Sequence, residues 1–264
     1  MKETLEKETL DYACMGARIR YRRKGAGPTL LLLKNEEALP GDTAFIDELA
    51  KSFDVIVPDH PGFGLSDTPD WLRGMGDTAY FYLDFIEALG LERLHVVGCS
   101  VGGWIAAEIA VRDCSRIASL SLLAPYGVRK GGVPFGDVFI WTPEENVRRR
   151  VRDQRLVDDF MARQKSREEE AALLKDRYGT ARLAWNPRFF NPELQRWLHR
   201  IKPPLQTIWG DQDELVPAEV FDAWKAGLPN AKNTIIGECG HLPHFERPEK
   251  SAAIVRQFIS EVRP

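Results

Sequence analysis

The sequence lacks the marks of a membrane protein, a polyanion binder or a disulfide-built secreted domain. No apolar run reaches 18 residues, and the opening MKETLEKETLDY is charged where a secretory leader needs an apolar stretch, so neither a spanning helix nor export is expected. Charge of one sign is also missing: 36 basic against 39 acidic residues leave −3, with no one-signed block. That removes the electrostatic case for nucleic acid or an anionic membrane surface as partner. Cysteine is scarce. Cys14, Cys99, Cys114 and Cys239 show no C-x-x-C spacing, so they read as reduced thiols without a metal, and the cytoplasm is the expected location.

What is present is an alternation. GPTLLLLK (Gly27–Lys34) is a continuous apolar run, the pattern of a strand buried on both faces. AFIDELAKS reads as a helix, FDVIVPD as a strand, DTAYFYLDFIEALGL as a helix, RLHVVG as a strand, VGGWIAAEIAVRD as a helix and IASLSLLA as a strand. Two short strands precede them, within residues 10–22 around Met15-Gly16. Strands alternating with helices predict an α/β fold with a mostly parallel sheet covered on both faces. The alternation stops near Pro125 and resumes at PPLQTIWG, followed by AEVFDAWKAGL, AKNTIIG and EKSAAIVRQFISEV. The organisation expected is a core of residues 1–125 and 203–264, interrupted by a helical cap over 126–202. Residues 144–176 carry nine basic and nine acidic side chains, which reads as a solvated helical face. Thr142-Pro143 with Glu145 has the pattern of a capping box, and Asn191-Pro192 starts a further helix.

One serine stands out by its setting. LHVVGCSVGGW places Ser100 in a G-x-S-x-G spacing between a strand and a helix. The spacing alone is weak, since composition supplies roughly 0.1 such match by chance in a chain this long. Context carries it. Small residues at Gly98 and Gly102 let strand and helix backbones approach closely, so the turn is sharp and the hydroxyl projects beyond the sheet. The first helix amides, beginning with Val101, then point at whatever the serine attacks, and with the helix dipole they suit a developing oxyanion. A serine hydroxyl needs a base and an orienting acid. Later strand ends provide both: DQDELVP with Asp211 and Asp213, and ECGHLPHFERPE with His241 and His244.

Four pieces together resemble the α/β-hydrolase family with an inserted cap, over essentially the whole chain: GCSVGG, DHPGFGLSD (Asp59–Asp67), WGDQDELVP and CGHLPHFERPE. The resemblance implies Ser100 as nucleophile, Asp213 as acid and His241 as general base. It implies a cap inserted after the sixth strand, a small-molecule substrate, and neither cofactor nor metal. Serine at the elbow tip sets aside the family's dehalogenases and epoxide hydrolases, which carry aspartate there. Acyl-type chemistry remains, with a carboxylic ester or lactone as the favoured substrate. Carbon–carbon hydrolysis of a diketone-type substrate is the alternative, although those relatives carry tryptophan after the histidine, where this chain has Leu242, and a glycine-rich loop it lacks.

The chain departs from the family after its third strand. Where the family reads LLLHG, this sequence reads LLLLKNEEALPG, with Lys34-Asn35 in place of His-Gly and Glu36 at the expected second oxyanion amide. Two accounts follow: a specialised hydrolase whose loop still offers the Glu36 amide or the Asn35 side chain, or a slow-turnover, receptor-like ligand binder. Lys34 is expected to matter little unless it pairs with Glu36 and neutralises it. Trp141, Trp185 and Leu242 are the candidate substrate-lining residues, with helix-packing roles as the alternative for the tryptophans. His244 is expected on the pocket wall or surface, Cys99 in packing, and His60 and His95 without local partners.

Overall fold

The computed structural model of the chain describes residues 6–12, 16–37 and 42–262. Eight strands, β1 (Glu6–Tyr12), β2 (Ala17–Lys24), β3 (Thr29–Leu33), β4 (Asp54–Pro58), β5 (Leu94–Cys99), β6 (Ile117–Leu123), β7 (Leu205–Gly210) and β8 (Lys232–Ile236), form one sheet in the order 1-2-4-3-5-6-7-8. β1 pairs antiparallel with β2, and β2 with β4; all other pairings are parallel. The first two strands extend beyond the expected short pair, and Met15 between them lies outside the described residues.

The leucine run explains the middle of the sheet. Leu31 and Leu33 join a core on one face, while Leu30 and Leu32 join a core on the other. A strand has a side-chain period of two, so only an unbroken apolar run can fill both faces. The first core is completed by α2 (Met75–Ala88) and α3 (Val101–Arg112), the second by α1 (Asp42–Ala50). On α2 the buried Phe81, Tyr82, Phe85 and Ile86 recur at helical spacing and make one apolar stripe.

Between β6 and β7 stand only helices: α4 (Pro143–Arg150), α5 (Gln154–Ala162), α6 (Arg167–Ala184) and the single turn α7 (Leu194–Trp197). The Thr142/Glu145 capping box is formed, and a second, Ser166/Glu169, opens α6. Asn191 caps its own turn, its side chain accepting from the Glu193 amide at 2.9 Å, so the helix begins later and is shorter than expected. α8 (Ala218–Gly227) closes the first face; α9 (Pro243–Glu246) and α10 (Pro248–Glu261) follow β8, and α10 completes the second.

The position of β3 fixes where a ligand belongs. The chain leaves β3 toward β4 on one side and returns to β5 on the other, so a crevice opens beyond the carboxyl ends of β3 and β5. The loops after Leu33 and Cys99 line that crevice. No helix among the described residues is long and apolar enough to cross a membrane.

Candidate active site

Ser100 occupies the turn between β5 and α3 with φ 52° and ψ −115°, a conformation L residues rarely hold. The glycines beside it are there for space. A Cβ on Gly98 would lie 2.5 Å from the Gly102 carbonyl oxygen, and one on Gly102 would lie 2.1 Å from that of Leu33. Any side chain at either position would push the helix off the sheet. Cys99 points away into the opposite core, as expected for a packing residue.

The three side chains singled out from sequence meet here. Ser100 Oγ lies 2.8 Å from His241 Nε2, and His241 Nδ1 lies 2.8 Å from Asp213 Oδ2. Asp213 is anchored in turn: its Oδ1 accepts from the Leu215 and Val216 amides, both at 2.8 Å. Asp211 does different work, with Oδ1 accepting from the Cys239 amide at 3.2 Å. The His241 amide donates to the Arg150 carbonyl at 2.8 Å, so the end of α4 holds the histidine loop directly. Ser100 and His241 are each only 1% exposed.

The loop after β3 departs from expectation. Lys34 does not pair with Glu36; its ammonium lies 3.1 Å from Asp59, whose carboxyl it holds below the usual range against the opposing effect of burial. Asn35 is not poised as an oxyanion donor. Its NH2 donates to the Glu37 carbonyl at 2.7 Å and its oxygen lies 3.1 Å from His244 Nε2, so both ends are spent holding the loop. Glu36 brings its whole carboxylate into the site, 1% exposed. Oε1 accepts from Arg150 Nη1 at 2.8 Å and from the Tyr126 hydroxyl at 3.2 Å. Oε2 is buried with no hydrogen-bond partner.

Burial alone would push the Glu36 pKa up. Arg150, His241, the residue's own backbone amide and the nearby Ser100 hydroxyl outweigh it and hold the group below the usual carboxylate range. Arg150, itself 1% exposed, also reaches Glu37 Oε2 at 2.6 Å; burial works against its charge, but the two carboxylates raise its pKa. The Tyr126 ring stacks on His241 with centroids 5.4 Å apart. The serine–histidine pair thus lies between two carboxylates, Asp213 on one side and Glu36 on the other.

Arg150 and Tyr126 are the residues that sequence reasoning missed. Arg150 lies within the charge-rich stretch 144–176, whose reading as a solvated face fails at this position. A signal existed: Val147, Arg150 and Val151 share one helical face, and Asn146, Val147 and Arg150 are buried on α4. The substrate-lining candidates scatter. Trp185 is 56% exposed, with the Arg188 guanidinium 4.1 Å from its ring centroid. Trp141 packs, half-buried, against the main core and lies beneath Arg149. Leu242 is fully buried among Val147, Val151, Val157 and Phe245, where it packs the histidine loop against α4 and α5.

His60 and His95 have no local partner, as expected, and bond at long range instead. His60 bonds the Lys34 carbonyl and the Tyr82 hydroxyl, and His95 the Ser119 hydroxyl; His244 is buried rather than exposed. Glu246, from the same histidine loop, accepts from the Gly240 and Arg152 amides at 2.7 Å each and from Asp153 at 3.1 Å. It is a second clamp between the histidine loop and the link from α4 to α5. Among the described residues no group of three or more His, Cys, Asp or Glu side chains could hold a metal ion.

Known proteins share this architecture. A 2-hydroxy-6-oxononadienedioate/2-hydroxy-6-oxononatrienedioate hydrolase of Paraburkholderia phymatum is 28% identical, over 92% of this chain and 91% of its own. A meta-cleavage product hydrolase from Pseudomonas fluorescens IP01 superposes with a TM-score of 0.83 at 22% identity, covering 98% of this chain and 99% of its own. A thermophilic esterase from Thermogutta terrifontis does so with a TM-score of 0.77 at 22% identity, covering 98% of this chain and 100% of its own. At those identities the two structures share the fold. A model of the alpha/beta hydrolase fold matches residues 38–248, and with the strand order and elbow above, the chain belongs to the α/β-hydrolase fold family.

Proposed function

We propose that the protein is a serine hydrolase that cleaves a small to medium carboxylic ester or lactone through an acyl-enzyme on Ser100. The observation that carries this reading is the continuous chain from Ser100 Oγ through His241 to Asp213, each link 2.8 Å, at the tip of a strained elbow. Ser100 Oγ attacks the carbonyl carbon while His241 Nε2 takes its proton; Asp213 holds Nδ1–H and stabilises the imidazolium. The tetrahedral intermediate collapses, the leaving alcohol takes that proton, and water repeats the sequence to release the acid. The first amide of α3, at Val101, is the donor for the developing oxyanion, with the Glu36 amide as the second. The segment 126–202 acts as a cap, fastened through Arg150 to the histidine loop.

A second reading, hydrolysis of a carbon–carbon bond in a diketone-type substrate, is supported by the 28% identical relative, a hydrolase of 2-hydroxy-6-oxononadienedioate, and by the meta-cleavage product hydrolase that shares the fold. Against it stand Leu242 and the loop at Lys34–Glu36.

A fluorophosphonate probe tests the nucleophile, with intact-mass readout on wild type and Ser100→Ala. One adduct on the wild type and none on the variant is expected; equal labelling would refute the assignment. A panel of p-nitrophenyl esters, lactones and a vinylogous diketone then separates the two chemistries. Thermal stabilisation by these compounds without turnover would identify a ligand-binding member of the fold instead.

A further inference from the structure

We infer that Glu36 is a specificity residue whose free carboxylate oxygen accepts a hydrogen bond from the substrate, so that the substrate carries an N–H or O–H within two bonds of the carbon attacked by Ser100. The inference rests on the reading of Ser100 as nucleophile and narrows the substrate class of that same site.

The argument begins with the orphan. Glu36 Oε2 is an acceptor buried beside the serine with no hydrogen-bond partner, while Oε1 is fully engaged by Arg150 and Tyr126. A buried ionised carboxylate with one bare oxygen is costly, and a donor arriving with the ligand recovers that cost. Among the described residues no donor makes that bond. The Ser100 hydroxyl bonds His241, the Asn35 NH2 is committed to Glu37, and Lys34 is turned to Asp59.

Charge points the same way. The buried group of Glu36, Glu37 and Arg150 holds two carboxylates against one guanidinium and so keeps one negative charge in excess. It favours a donor and repels a second acceptor.

Position then limits where the donor stands. The Glu36 carboxylate is bridged to the serine–histidine pair by Tyr126, whose ring stacks on His241 and whose amide donates to the Ser100 carbonyl at 3.2 Å. A donor in reach of Oε2 while Ser100 attacks must therefore be near the reacting carbonyl. Two sources fit: an amide nitrogen at the scissile bond, or a hydroxyl or ammonium on the carbon next to the carbonyl. A simple alkyl ester offers neither. Sites built around a hydrogen bond to substrate discriminate strongly against analogues that lack it, because the buried polar group is then left bare.

The test compares matched substrates by kcat/KM. Hydroxyacetyl and propionyl esters of 4-methylumbelliferone are near-isosteric, one with the donor and one without; an acetyl amide and an acetyl ester of one leaving-group framework form the second pair. Wild type is expected to favour the donor-bearing member of at least one pair by about 10²-fold relative to Glu36→Met, in which that preference disappears. Glu36→Gln serves as a second variant. Its oxygen must stay with Arg150 and Tyr126, so its NH2 takes the place of Oε2 and loses the amide N–H while tolerating a hydroxyl. If both variants fail to fold, the two wild-type ratios decide: hydroxyacetyl to propionyl, and amide to ester set against the uncatalysed ratio in buffer. Fluorophosphonate labelling of Ser100 is run alongside. A labelled serine with ratios unmoved by substitution, or with neither wild-type ratio favouring the donor-bearing substrate where no variant folds, overturns the role of Glu36 and leaves the nucleophile standing. An unlabelled serine overturns both.

Discussion

Replacing Asp213 by asparagine should nearly abolish turnover, and the structure says why the new amide cannot adapt. Asp213 Oδ1 accepts two backbone amides, from Leu215 and Val216, at 2.8 Å each, while Oδ2 accepts from His241 Nδ1. An asparagine has one acceptor oxygen and one NH2. Turning the oxygen toward His241 would aim the NH2 at two N–H donors, so the oxygen stays with the backbone and the NH2 faces Nδ1. His241 must then accept at Nδ1 and carry its proton on Nε2, where it can no longer take the proton of Ser100. Loss of the correct tautomer costs about 10⁴-fold in kcat in a well-formed triad, or about 5.5 kcal/mol at 1.36 kcal/mol per decade. Asp211→Asn is the control. That side chain is exposed and its Oδ1 accepts one amide, from Cys239 at 3.2 Å, so its loss is worth about 1 kcal/mol and less than about tenfold in rate. Steady-state kinetics on a cleaved ester, with active sites titrated and Tm measured for each variant, compares the two. A loss below tenfold for Asp213→Asn, or a greater loss for Asp211→Asn, would refute the reasoning.

Other perturbations test the surroundings. Arg150→Met strips the buried Glu36 and the half-buried Glu37 of their cation, and a loss of about 3–5 kcal/mol in urea unfolding is expected. Burial opposes the Glu36 charge and Arg150 is the largest effect that sustains it, so the variant's deficit should shrink as pH falls toward the ordinary carboxylate range; a deficit independent of pH would count against this electrostatic account. His60 and His244 are held neutral mainly by burial, their pKa values pulled down to about 4 and about 3. Each is depressed on folding, so its contribution is present above the unfolded value near 6.5 and is lost as pH falls, by about 1.4 kcal/mol per pH unit. Denaturation midpoints of His244→Gln between pH 6.5 and 4 should therefore decline less steeply than those of wild type, and equal slopes would contradict it. Gly102→Ala places a methyl 2.1 Å from the Leu33 carbonyl oxygen and should lower stability by about 3 kcal/mol, read by thermal melts; a neutral effect would mean that helix and sheet can separate there.

Where sequence reasoning succeeded, local rules were enough. The run TLLLL in β3 had to be a strand buried on both faces, because nothing in it could face water. The elbow was legible because Gly98 answers to the backbone of Gly102 and Gly103 within the same turn; that Gly102 also answers to the Leu33 carbonyl came only with the fold. Asp213 could be separated from Asp211 only through the family resemblance; the geometry then showed the physical difference, two backbone amides on one carboxylate oxygen and a histidine on the other. The loop at Lys34–Glu36 was legible as a departure but not as an arrangement. Lys34 had an adjacent acid to pair with and took Asp59 instead, 25 residues away.

The sequence by itself determined the alternation of strands and helices, the place of the insertion, the elbow and the residues that meet at it. Each of these follows from periodicity, glycine spacing or chain order, which are properties of neighbouring residues. Only the tertiary structure decided the electrostatics of the site. Glu36 keeps its charge because Arg150 arrives from 114 residues further along the chain, and its second oxygen is bare because the donors around it are committed elsewhere. A long charged side chain at a helix position can face water or reach inward with almost the same local sequence. Which it does depends on whether another element buries a partner for it, since a buried charge persists only when paired.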